Sequence, residues 1–280
     1  MTTQQAPGLE QIRDAWNAVA DGFDRFVTPE SMVLGREVVL RLGLRPGTRL
    51  LDVGAGSGAL TIPAARIGAD VVATDLAPAM IERLTARALA EGLSSVRGRI
   101  MDGNALDLDD DTFDVAASVN GVSVFPDMER GLAELVRVTR PGGRVVIAAF
   151  GPLPTVEFIV FCAGAVRAAV PGAMPLPTDP PPLPFQAAHP DVLRERMVDA
   201  GLREIRIDPF TWESAFDSAR HLWDTFTASH PIGAQTAAAL DDGQQAEVVR
   251  VLEGTLRERS AGAPGAVLSA QVNIGTGTVC

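Results

Sequence analysis

Leu9, Ile12, Trp16 and Val19 or Ala20 recur at three- and four-residue spacing, which predicts an amphipathic helix over 9–20. Phe23 and Phe26 follow as a short aromatic stretch, and a second amphipathic segment runs over 30–43. Arg45-Pro46-Gly47-Thr48 is a turn signal. From there the period changes. Short apolar runs at 49–53, 70–74, 96–101, 113–119 and 144–150 read as buried parallel strands. Helical patterns lie at 57–67, 78–91 and 127–139. Pro63 interrupts the first, Pro78 suits the first turn of the second, and Pro141-Gly142-Gly143 ends the third. Asp107–Asp111 reads as an acidic loop, with Asp109–Asp111 a solvated charge run. Five strands alternating with helices over short connections predict an α/β fold with a doubly wound sheet.

After Phe150 the alternation breaks. Residues 171–184 are proline-rich and can be neither a regular helix nor a central strand, so they read as a stiff loop or a lid over a pocket. A helix is expected over 191–200 and a strand over 202–208. Residues 214–260 look mostly helical, broken at His230-Pro231 and at Gly243, and 266–274 reads as a last strand. The expected organisation is a helical leader over 1–44, a cofactor-binding α/β core over 45–150, and a third part over 151–280. That last part holds the late strands and helical insertions. We expect 151–185 and 210–262 to form a substrate cover. Its Phe158, Phe161, Phe185, Trp212, Phe216, Trp223 and Phe226 suggest an apolar acceptor of modest size, unless they only fill a helical core.

Composition narrows the chemistry. All 24 basic residues are arginine, and lysine and tyrosine are absent, so no lysine Schiff base, P-loop lysine or tyrosine acid is available. The net charge of −11 argues against a nucleic-acid partner. No apolar run is long enough for a membrane span, and the start MTTQQAPGLEQ has no signal-peptide pattern, so a cytoplasmic protein is the expectation. Cys162 and Cys280 and the three histidines lack metal-ligand spacing, so no metal is expected. Nothing in the chain selects between a monomer and a homodimer.

The most informative stretch is Leu50–Ala59, LLDVGAGSGA, a strand that turns sharply into a helix. Gly54 and Gly56 allow close approach of a ligand, and exposed amides at the helix start suit a carboxylate or phosphate. The pattern also satisfies the dinucleotide signature G-x-G-x-x-A, and Asp75, 21 residues after Gly54, could grip ribose hydroxyls in either cofactor. Asp52 is the tie-breaker. Facing the crevice, its carboxylate would suit the cationic end of S-adenosylmethionine and repel a pyrophosphate.

The constellation resembles the class I S-adenosylmethionine-dependent methyltransferases, in the branch similar to ubiquinone/menaquinone biosynthesis C-methyltransferases. The resembling stretches are LLDVGAGSGALTIPAA, VVATDLAPAMIERL, MDGNALDLDDDTFD and LVRVTRPGGRVVIAAF, in order over 48–150, with AWNAVADGFDRF similar to the family's leader helix. The resemblance implies a Rossmann-like seven-stranded sheet with its last strand antiparallel. It implies that Asp52, Gly54, Ala55 and Gly56 contact the methionine part of S-adenosylmethionine. Asp75 would take the ribose, with Leu76 and Met80 packing nearby. Asp102 would accept from the adenine amino group, Gly103, Asn104 and Ala105 would line the ring, and Asn120 would lie under the reacting methyl. Many relatives carry tyrosine where this chain has Phe23. Trp16 and Phe23 either cover the cofactor or dock the leader helix.

Methyl transfer needs positioning more than a catalytic side chain, and a base matters only if the acceptor must lose a proton. His189, His221 and His230 are the candidates, and His230 is the choice for a base. The implied function is transfer of a methyl group to a small apolar or aromatic acceptor on C, O or N, as in secondary metabolism. The alternatives are an NAD(P)-dependent oxidoreductase, or a protein of the same fold that binds the cofactor without methylating.

Overall fold

A computed structural model describes residues 8–173 and 182–280. The expectations for residues 1–7 and for 174–181 of the proline-rich stretch fall outside the described residues. The strands are β1 Arg49–Val53, β2 Asp70–Asp75, β3 Val96–Ile100, β4 Phe113–Val119, β5 Thr139–Phe150, β6 Arg203–Phe216 and β7 Ala266–Thr278. They form one sheet in the order β3-β2-β1-β4-β5-β7-β6. β7 runs antiparallel to both β5 and β6. The neighbouring pairs from β3 through β5 are parallel.

Side chains alternate across this sheet, which separates two apolar layers. Leu50, Val71, Val115, Ala117, Val146 and Ala148 pack with Leu34 and Val38 of α2 (Thr28–Leu42) and with Leu60 and Ala64. Leu51, Val53, Ala116, Val145 and Ile147 face the other way. They meet Leu132 and Leu135 of α5 (Met128–Val138) and Leu193 and Met197 of α7 (Pro190–Asp199). Both faces are therefore covered, and the strands can be nearly continuous apolar runs. A third cluster joins α6 (Glu157–Ala169), α8 (Ala219–Ser229) and α10 (Asp242–Arg259) through Cys162, Leu222, Trp223, Val248 and Leu252.

Three local expectations need correction. The helix expected over 57–67 begins only at Thr61, as α3 (Thr61–Arg66), because Gly54, Gly56 and Gly58 hold the chain in positive-φ turns before it. Pro63 then lies in the first turn, where its missing N–H costs nothing. The helix break placed at Gly243 lies at Ala239–Asp241, and Asp241 caps α10. The strand expected over 202–208 continues to Phe216, paired with β7 to its last residue. Phe210, Trp212, Ser214 and Phe216 have strand alternation, and Pro209 is tolerated because β6 is an edge strand. Asp109–Asp111 are exposed as expected, and Asp110 also pairs with Arg137 at 2.6 Å.

The leader is one continuous helical run. α1 (Leu9–Gly22) passes through a wider π-helical turn at Phe23–Val27 into α2. Asn17 accepts from the Ala79 amide (3.0 Å) of α4 (Pro78–Ala90), and Arg83 and Arg87 of α4 pair with Asp21 and Asp24. α9 (Pro231–Ala238) follows α8.

Candidate active site

The carboxyl ends of β1, β2, β4 and β5 open into one cavity of about 330 Å³. Gly54 (φ 68°) and Gly56 (φ 54°) make the turn that forms its floor. A Cβ on Gly54 would stand 2.9 Å from Gly121 Cα, and one on Gly56 3.0 Å from the Phe23 ring. Asp75, at the end of β2, fixes the turn from the side. Its carboxylate accepts from the Gly56 amide (2.9 Å) and from the Ala77 amide (2.9 Å). Burial raises its pKa, against the pull of those amides. Asp102 accepts from the Asn104 amide at 2.9 Å. Asn120 ends β4 in a left-handed conformation (φ 53°), a sparsely populated region for a non-glycine residue, and its side-chain oxygen is buried without a partner.

Of the residues assigned to the cofactor from sequence, Gly54, Ala55, Gly56, Asp75, Leu76, Met80, Asp102, Gly103, Asn104 and Asn120 all line this cavity. Ala105 does not. Asp52 does not either, and it is a correction. It is 1% exposed beneath the turn, and Thr61 Oγ1 donates to its carboxylate at 2.6 Å. Its carboxylate braces the start of α3 and does not line the cavity.

That burial pushes the Asp52 pKa up to about 7, with the Thr61 bond pulling the other way. A carboxyl whose pKa is higher folded than unfolded costs stability as pH rises from its unfolded value to its folded one. Stability is thus expected to fall between pH 4 and 7. Asp52→Asn keeps an acceptor for Thr61 and removes the charge, so it should gain a few kcal/mol at pH 8 and nothing at pH 4. Urea unfolding of both proteins at the two pH values checks this; an equal effect at both would sink it.

Trp16 and Phe23 belong both to the cavity wall and to the docking of the leader helix. They line the cavity and pack against Ala20, Ala77 and Met80. Opposite the glycine turn the wall is aromatic. Phe150 stacks on Trp212 (6.4 Å), Phe158 meets both rings edge-on, Phe185 tilts against Phe150, and Phe216 and Phe226 extend the wall. Phe161 and Trp223, expected with them, pack into the α6–α8–α10 core instead.

The histidines separate. His189 precedes α7 and does not line the cavity. His230 does line it, edge-on to Trp16 at 5.3 Å. Its Nδ1 accepts from the Ile232 amide at 3.1 Å and caps α9, so the neutral ring carries its proton on Nε2. Burial lowers its pKa to about 4. This geometry makes His230 a donor and a helix cap, which is a poor arrangement for the base it was chosen to be.

Sequence reasoning passed over Phe125 and Phe150 as site residues. Phe125 lines the cavity and would be 2.4 Å from a Cβ on Gly103. Phe150 was legible, since it ends a parallel strand at the carboxyl edge where ligands bind.

A family profile described as "Methyltransferase domain" matches residues 51–147, the segment that supplies the glycine turn, Asp75, Asp102 and Asn120. The similarity to the methyltransferase family is thus carried by about a third of the chain. An uncharacterized protein of Mycobacterium tuberculosis is 45% identical over 112 residues, which is 40% of each chain. The match thus spans well under half the length of that relative. Nocamycin O-methyltransferase of Saccharothrix syringae is 36% identical over 44% of each chain. Demethylmenaquinone methyltransferase of Renibacterium salmoninarum is 33% identical over 52% of this chain and 64% of that one. Among solved structures, the 4+2 cyclase SpnF shares the fold, with TM-score 0.63 at 18% identity over 98% of both chains. The shared fold thus extends beyond residue 147, where the family profile ends.

Proposed function

We propose that this protein moves a methyl group from S-adenosylmethionine to a small apolar or aromatic acceptor. One observation carries the reading: a single cavity joins the Gly54–Asp75–Asp102–Asn120 wall to the Phe150–Phe158–Phe185–Trp212–Phe216 wall. The first wall fits the cofactor. The positive-φ glycines leave the space a Cβ would fill, Asp75 offers lone pairs to ribose hydroxyls, and Asp102 stands beside Gly103 and Asn104 for the adenine. When bound, S-adenosylmethionine supplies an electrophilic methyl carbon and a leaving sulfur that keeps the bonding pair. What the protein adds is position. Leader helix α1 closes one side, the aromatic wall excludes water, and the acceptor is held against the floor at near-attack distance.

α6, α8 and α9 with the outer half of β6 form the substrate cover on this reading. The cavity volume suits a ligand of one or two rings. The net charge of −11 favours a small molecule over nucleic acid. No helix among the described residues is long and apolar enough to cross a membrane. Calorimetric titration with S-adenosylmethionine and with NADH is the first test, and binding of NADH alone would overturn the reading. Transfer of labelled methyl across phenols, amines, thiols and activated carbons is the second. Tight cofactor binding with no transfer to any of them would favour a protein that keeps the pocket without methylating.

A further inference from the structure

The aromatic half of the cavity is not uniformly apolar. His221 lies there, its ring packed on Phe26 (6.1 Å) and Phe216 (5.6 Å). Its Nδ1 accepts from the Asp217 amide at 3.3 Å. A ring nitrogen that accepts from an N–H cannot itself carry a proton, so the neutral ring is the Nε2–H form. Nε2 has no partner among the described residues. The guanidinium of the exposed Arg25 lies 5.1 Å over the same Phe26 ring and also lines the cavity. Arg83 and Arg87 have Asp21 and Asp24, but Arg25 pairs with no carboxylate among the described residues. A fixed donor and a free cation thus share one aromatic patch.

Other charged groups also stand near this patch. Asp217 is 94% exposed and its carboxylate is 3.9 Å from Nδ1, beyond hydrogen-bond reach. Arg220 and Asp224 pair with each other at 2.8 Å. Glu30 lines the cavity from the first turn of α2, and Asp75 and Asp102 belong to the opposite, glycine-turn wall. Thr225 is spent donating to the His221 carbonyl at 2.8 Å.

We propose that this half of the cavity selects a flat apolar molecule bearing an anionic oxygen, which His221 Nε2–H and the Arg25 guanidinium bind. The proposal rests on the reading of the cavity as an acceptor site. It makes His221 a specificity-determining donor and not a base. A base would need a lone pair on Nε2, and the Nδ1–H form would then face the Asp217 N–H donor to donor.

The test is calorimetric titration with 2-naphthoate, its neutral analogue 2-naphthamide and the cation 2-naphthylmethylamine. Each is measured with and without saturating S-adenosylhomocysteine. 2-Naphthoate should bind at least 10-fold more tightly than either analogue, since a hydrogen bond to a charged group contributes about 1.5–3 kcal/mol. His221→Phe should lose about 10-fold for 2-naphthoate alone, and His221→Gln, which still donates but cannot take a proton at neutral pH, should recover most of it. Arg25→Gln should weaken 2-naphthoate and flatten its dependence on salt. Asp217→Asn keeps the backbone amide and should change nothing. Equal binding of 2-naphthoate and 2-naphthamide would overturn the proposal. So would an Asp217→Asn loss as large as that of His221→Phe with no recovery in His221→Gln, the pattern of an aspartate–histidine base. Failure of S-adenosylhomocysteine itself to bind would count against the cofactor reading, and the titrations without it still read the anion preference.

Discussion

Asp75→Ala should weaken binding of S-adenosylhomocysteine about 100-fold while leaving the protein folded. The carboxylate does two jobs at one place. It accepts from the Gly56 and Ala77 amides, which ties the glycine turn to the start of α4. Its remaining lone pairs face the cavity, where the ribose hydroxyls are proposed to lie. Bonds from hydroxyls to a carboxylate contribute about 1.5–3 kcal/mol each, and losing the equivalent of about 3 kcal/mol is a factor of about 100. Asp75→Asn should fall between, because the amide retains one acceptor oxygen and turns its NH2 toward a backbone N–H. Because burial raises the pKa of Asp75, cofactor affinity should decline on the acid side at a higher pH than an ordinary aspartate would give. The sign follows from which form binds: the carboxylate accepts from hydroxyls, and its protonated form gives up part of that capacity. Calorimetry against pH measures both effects. Retention of near wild-type affinity in Asp75→Ala would remove the residue from the site.

Gly54→Val should abolish measurable cofactor binding and lower the melting temperature. At φ 68° the backbone is in the left-handed region, which costs an L-residue about 1–2 kcal/mol and is a genuine outlier for a β-branched one. The added Cβ would also meet Gly121 Cα at 2.9 Å. That neighbour is backbone, so it cannot swing aside as a flexible side chain would. Relief has to come from separating the ends of β1 and β4, which are the floor of the cavity. Gly54→Ala should show the same direction with a smaller loss. Gly164→Ala is the control, since Gly164 lies within α6 with open space around its would-be Cβ. It should gain up to about 1 kcal/mol from helix propensity and bind cofactor normally. Wild-type binding by Gly54→Val would mean that the turn is not the cofactor floor.

The parts read correctly from sequence share a cause. β1, β2, β4 and the carboxyl-terminal half of β5 are central strands buried on both faces, so they announce themselves as short apolar runs. The glycine turn is legible because backbone at positive φ leaves few residue choices. β6 was half read because its outer part is held by β7, more than 50 residues later, and local pattern carries no trace of that pairing. The helix start was misplaced because the apolar spacing of 57–67 looks helical while the positive-φ glycines Gly54, Gly56 and Gly58 delay the helix to Thr61.

The site divides along the same line. Spacing along β1, β2 and β4 brought Gly54, Asp75 and Asn120 to one sheet edge, because parallel strands in register deliver their carboxyl ends together. The chain by itself therefore determined the α/β sheet, the turn and the acid that flanks it. It did not determine which way Asp52 points, since a single residue's face depends on what packs beneath it, and Thr61 takes that carboxylate. Nor did it determine the roles of the histidines. A ring's tautomer is set by the amide that reaches Nδ1, which for His221 and His230 is a local one at the start of α8 or α9, but which rings face the cavity was decided only when those helices packed against the leader helix. Tertiary structure also sorted the aromatics, sending Phe158, Trp212 and Phe216 to the cavity and Phe161 and Trp223 to the helical core. Apolar residues are interchangeable in their drive to leave water, and only the three-dimensional packing decides which of them are left facing a ligand.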